Sequence, residues 1–177
     1  MKGVIFVELV EFMEEAIGMR LADQILTALP SGGAYTSVGT YSVLEAVAIV
    51  ESIGKQNGQP VPALLKEFGK YLFSGLASKH PTFLTSVTGP LNLLLQIEHH
   101  IHVEVKKLYP DAELPHFTYE DCGPNELVMI YRSSRGLADL CEGLILGCYE
   151  HFGKPVTLER QPLPGEETAV RFHIREG

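Results

Sequence analysis

"ELVMIYRSSRGLADLCEGLILGCYEHF", residues 126–152, decides the fold class. Residues 126–135 are rich in β-forming side chains and read as a strand. Gly136 punctuates the run, and Leu137 to Phe152 then reads as a helix. That switch contrasts with everything upstream. Residues 2–17 and 20–28 read as helices, with "LPSGG" at 29–33 as the loop after them. Val43 to Ile53 and Val61 to Ala77 repeat apolar residues at helical spacing and are separated by the helix-breaking "NGQP" at 57–60. "TGP" at 88–90 breaks the chain again. Leu91 to Leu108 predicts one long helix, with Pro90 suited to its first turn and Pro110 stopping it. Downstream of residue 152, "PVTLERQ" (155–161) and "AVRFHIRE" (169–176) alternate like two strands, joined by the turn-rich "PLPGEE". The expected class is α+β: a helical first two-thirds packed against a small antiparallel sheet with a helix inserted.

The composition bounds the rest. A chain of 177 residues suits one domain, and 45% hydrophobic with 20% charged residues is ordinary for a globular protein. A net charge of −8 leaves no basic footprint, which argues against nucleic acid and against anionic membrane surfaces. In "MKGVIFVELVEFMEEAIG" the apolar run is interrupted by Glu8 and Glu11, so no signal-peptide core forms. No stretch approaches the ~18 apolar residues of a membrane span. Three cysteines, Cys122, Cys141 and Cys148, without an export signal predict a cytoplasmic protein free of structural disulfides.

"QIEHHIHVEVKKLYP", residues 96–110, concentrates three histidines. At about 100° per residue, Leu94, Ile97, Ile101, Val105 and Leu108 centre one apolar arc. His102 falls at its edge, while His99 and His100 fall beside Lys106 and Lys107 on the polar side. His102 is then either a core-edge histidine satisfied by a neighbour or a ligand. Zinc needs three or four protein ligands, whereas haem iron brings four nitrogens and takes one axial His. A metalloenzyme built on all three histidines is opposed by their splay around the helix and by the absence of an HExxH pattern. In "YRSSR", an extended strand would align Tyr131, Ser133 and Arg135 on one face. They are either a solvated row or a set of donors for a ligand carrying one or two carboxylates.

Together "MKGVIF", "HVEVKKLYPDAELPHF" with a His seven residues before Tyr109, and "YRSSR" followed by a helix resemble the H-NOX (haem-nitric oxide/oxygen binding) domain. This family is related to the haem domain of soluble guanylate cyclase, and the likeness runs along the whole chain. It implies a single domain, 1–177, with a distal helical part over 1–60, then the proximal helix, sheet and C-terminal helix over 61–177, and haem b between the two parts. His102 would be the proximal iron ligand. Tyr131, Ser133 and Arg135 would hold the propionates, and Pro115 would press on the porphyrin. Ile5, Leu9, Leu72, Phe73, Leu76 and Leu144 would border the gas-binding face. Members that bind oxygen stably carry a distal tyrosine where this chain has Leu140, so an apolar pocket predicts NO over O₂, with CO as a further ligand.

Some bacterial relatives hold zinc through a Cys-x-Cys pair, and the corresponding positions here read Ala138 and Leu140, so no structural zinc is expected. Cys141 and Cys148 read as small buried hydrophobes, and Cys122 as a thiol in a loop. The resemblance implies a sensor, not an enzyme, partnered by a histidine kinase or a cyclic-di-GMP enzyme. The competing expectation is an O₂-binding or haem-carrier protein with no signalling role.

Overall fold

The computed structural model describes residues 1–177 apart from the side chain of Asp121. Helix α1 (Gly3–Ile17) buries Phe6, Leu9 and Met13, spaced three and four apart as one helical face requires. Helix α2 (Met19–Thr27) adds Ala22 and Leu26. Helix α3 (Val43–Asn57) starts where the Ser42 side chain accepts from the Leu44 N–H. It stops at Gly58, whose φ of 68° suits a left-handed cap and whose N–H returns to the Gly54 carbonyl. Helix α4 (Val61–Lys79) sends Leu64, Phe68 and Leu72 into the same core as α1 and α3, so helical packing continues well past residue 60.

After a 3₁₀ turn (Pro81–Leu84), the predicted long helix resolves into three pieces: α5 (Pro90–Gln96), a π turn (Ile97–Ile101) and α6 (His102–Leu108). The N–H of His102 itself closes the π turn on the Ile97 carbonyl. Helical periodicity is blind to this one-residue insertion, because the apolar spacing on either side of it is unchanged.

Four antiparallel strands follow: β1 (His116–Asp121), β2 (Glu126–Arg132), β3 (Val156–Pro162) and β4 (Val170–Glu176), in the order β1-β2-β4-β3. Strand β1 is absent from the sequence prediction. It is short and one-third charged, and it is held by pairing Phe117 with Tyr131 and Tyr119 with Met129. Strand β2 ends at Arg132, so Ser133 and Arg135 lie beyond the sheet in a turn, not on an extended face as the alternation argument required.

Helix α7 (Ala138–Phe152) joins β2 to β3 and serves both halves. Cys141, Ile145 and Tyr149 pack with Met129, Phe172 and Ile174 of the sheet, while Leu140 packs into the helical core. Toward α4 it presents Gly143, where an added Cβ would lie 2.1 Å from the Lys66 carbonyl oxygen. On α4 a Cβ at Gly69 would lie 2.5 Å from the Leu140 carbonyl oxygen. The two helices therefore meet backbone against backbone, flanked by ion pairs from Lys66 to Glu142 (2.5 Å) and Lys70 to Glu150 (3.0 Å). Among the described residues no helix is long and apolar enough to cross a membrane.

Candidate functional site

Between the helical core and the sheet core lies a cavity with about 350 Å³ of water-accessible space. One wall comes from α1, α4 and α7: Ile5, Leu72, Phe73, Leu76, Leu140 and Leu144. The α4 stripe ends in His80, which also borders the cavity and was not foreseen. The opposite wall and the mouth hold His102, Pro115, Tyr131, Ser133 and Arg135. Every site residue expected from the sequence is thus on one cavity, except Leu9. That side chain is 1% exposed within the helical core and does not reach the cavity wall.

The wheel separates the three histidines as the structure does. His99 and His100 are exposed, and the His102 side chain is only 16% exposed. The His102 ring lies 5.6 Å from that of Phe117. Its Nδ1 is 3.3 Å from Oε2 of Glu98, four residues back. Burial pulls the imidazole below its usual pKa, against the opposing pull of Glu98, so the neutral ring that a metal requires is favoured near neutral pH. With Nδ1 turned to Glu98, Nε2 is the nitrogen left to coordinate.

Tyr131 is a strand residue, 3% exposed, and burial raises its pKa, so its hydroxyl is a donor at physiological pH. Past the end of β2 the chain turns, and Ser133 Oγ accepts the Arg135 N–H at 3.2 Å. The Arg135 guanidinium grips the loop before Pro115: Nη1 donates to the Glu113 carbonyl and Nη2 to its carboxylate, each at 2.7 Å. A guanidinium has five N–H donors, so this clamp leaves some for a carboxylate at the mouth. The turn, not a strand face, brings Tyr131, Ser133 and Arg135 together.

Sequence reasoning missed Glu98 and His116. Glu98 was legible in principle as the i−4 helical neighbour of His102. His116 had no local signal, since it reaches Glu98 (Nδ1 to Oε1, 2.6 Å) from the start of β1. Cys141 and Cys148 are buried free thiols, with burial pushing Cys148 up to about 12, whereas Cys122 is exposed. Among the described residues no cluster of three or more His, Cys, Asp or Glu is arranged to hold a metal ion.

An apolar slot with one inward imidazole on its wall and carboxylate-binding donors at its mouth suits a planar, largely apolar cofactor that brings its own metal ligands and two carboxylates. Those are the requirements of haem, and the residues present meet them. Comparison with known proteins agrees. The Haem-NO-binding family model matches residues 2–160. The fold superposes on the Fe(II) unliganded H-NOX protein of K. algicida with a TM-score of 0.91 at 36% identity, covering 100% of this chain and 97% of that one. The H-NOX protein of S. oneidensis in the Fe(II)NO state gives 0.93 at 29% identity, covering 100% and 99%. The IWP-051-bound H-NOX of Shewanella woodyi in the Fe(II)CO state gives 0.86 at 39% identity, covering 100% and 95%. A search of curated proteins finds no match. In class, then, this is a haem-binding gas-sensor domain, with no catalytic role of its own implied by the fold. The chain belongs to the H-NOX family.

Proposed function

We propose that the protein senses nitric oxide in preference to oxygen through haem b and reports it to a signalling partner in the cytoplasm. When bound, haem supplies a ferrous iron able to coordinate NO or CO. His102 would hold that iron through Nε2. Tyr131, Ser133 and Arg135 would bind the propionate carboxylates, and Pro115 would pack against the porphyrin. The opposite wall offers carbon at Ile5, Leu72, Phe73, Leu76, Leu140 and Leu144. That wall carries the NO preference. Bound O₂ is polarised and needs a hydrogen-bond donor to be held, while NO does not.

NO binding would weaken the hold of His102 on that iron, and the helix bearing His102 would then be able to shift. Helix α7, packed on α4 by Gly143 and on the sheet by Ile145, is placed to pass a shift between the two cores. A histidine kinase or a cyclic-di-GMP enzyme would read that shift.

The test is the visible spectrum of the reduced, haem-loaded protein, first in air and then with NO. The expected result is no stable oxygen complex and a five-coordinate spectrum with NO. Failure to take up haem overturns the whole reading. A stable oxygenated spectrum overturns the selectivity, and a six-coordinate spectrum with NO overturns the release of His102.

A further inference from the structure

Glu98 occupies a position that the haem-ligand reading of His102 does not account for. It lies inside the π turn Ile97–Ile101, immediately before His102. A π turn closes i→i+5 hydrogen bonds and takes more than four residues to go round. That brings side chains four apart nearly into line. Such turns are uncommon, and here one aims a carboxylate at the next turn's imidazole.

The carboxylate is anchored from three directions. Its Oε2 accepts the Phe117 backbone N–H at 3.0 Å and lies 3.3 Å from His102 Nδ1. Its Oε1 meets His116 Nδ1 at 2.6 Å. The side chain is 18% exposed, so these contacts are only partly shared with water. Two of the three anchors come from β1, the first strand of the sheet, across the gap that the helix must bridge. Phe117 also faces Tyr131 in the strand register. One carboxylate therefore links the His102 helix to the sheet that carries the mouth of the cavity.

Resting on the assignment of His102 as ligand, we propose that Glu98 is a positioning residue: its carboxylate selects the Nδ1–H tautomer of His102, turns Nε2 to the cavity and tethers that helix to β1. A hydrogen-bonded carboxylate behind an imidazole ligand fixes the ring and makes it a stronger donor. The same contact makes the tether a load path. Were His102 to let go of a metal, a shift of its helix would still pull on β1 through Glu98.

The experiment uses two variants, Glu98→Ala and the isosteric Glu98→Gln, which keeps an acceptor oxygen. In the haem-free protein, ¹⁵N NMR of His102 should show the Nδ1–H tautomer in the wild type and in Glu98→Gln, and the Nε2–H tautomer in Glu98→Ala. In the reduced haem-loaded protein, the iron–histidine stretch should fall in frequency from wild type to Gln to Ala, and haem affinity should drop roughly 10-fold in Ala. An unchanged tautomer and an unchanged stretch in both variants overturn the proposal, even if the melting temperature falls, because a mere helix–strand staple would alter stability alone. If Glu98→Ala does not fold, Glu98→Gln decides through the stretch. Failure of the wild type to bind haem defeats the ligand assignment but leaves the tautomer comparison intact, so the two failures are distinguishable.

Discussion

The wall that the helical core turns to the cavity and the wall that faces it differ in how they are built. Ile5, Leu72, Phe73, Leu76, Leu140 and Leu144 sit on regular stretches of α1, α4 and α7, on faces continuous with those that bury the core. His102, Ser133, Arg135 and Pro115 sit where regular structure stops: at the exit of a π turn, in the turn after β2 and in the loop before β1. Regular elements repeat one kind of surface, so they make a uniform apolar lining. Irregular backbone lets single polar groups converge from different directions, which is where binding groups accumulate.

Breaking the polar side at its centre should have the largest effect. His102→Gly is expected to abolish axial coordination by the protein, and added imidazole should restore it. An absorption spectrum unchanged from wild type would mean that the wrong histidine has been chosen. Prising apart the helices behind the apolar wall comes next. Gly143→Ala forces a methyl group to within 2.1 Å of the Lys66 carbonyl, so α4 and α7 must separate. We expect a loss of about 1–3 kcal/mol by denaturant unfolding, and a loss below a few tenths would show that the close approach is relieved cheaply.

Adding one donor to the apolar wall tests the comparison directly. Leu140→Tyr should give a measurable oxygen complex, with a gain of about 1 kcal/mol, or roughly fivefold in affinity, if the hydroxyl reaches the bound gas. No gain would place the selectivity elsewhere, with His80 the next residue to change.

The smallest effect is expected far from both walls. Burial tends to raise the pKa of Glu45, but the Ser31 and Tyr35 hydroxyls outweigh this and hold it below the ordinary carboxylate value. A lowered folded-state pKa stabilises the fold above the unfolded value and loses that contribution as pH falls through the folded one. Glu45→Gln should therefore cost about 0.5–1 kcal/mol at neutral pH, with the difference from wild type closing in acid. The cavity spectrum should not move. A spectral change would mean that the helical core and the site are coupled more tightly than the packing implies.

Much of this was legible in the chain itself. The helices α1 to α4, the β2–α7 switch and the last two strands follow from periodicity and from breakers such as "NGQP". The choice of His102 over His99 and His100 follows from a helical wheel, since which face a side chain takes is a property of a turn or two. Tyr131, Ser133 and Arg135 were found together for an incorrect reason: their spacing suggested an extended face, but a turn assembles them.

Leu9 shows where local rules end. It shares a face with Ile5, four residues away, yet Ile5 meets the cavity and Leu9 the closed helical core. Position along the face, and what stands across from it, are set by packing. So are strand β1, whose pairing rests on β2, and the meeting of Glu98 with His116 across 18 residues of chain. Sequence periodicity determined the elements and the direction of their side chains, because dihedral preference and amphipathicity act within a few residues. Only the tertiary structure decided which of those side chains share a cavity, because that depends on contacts between segments far apart in the sequence.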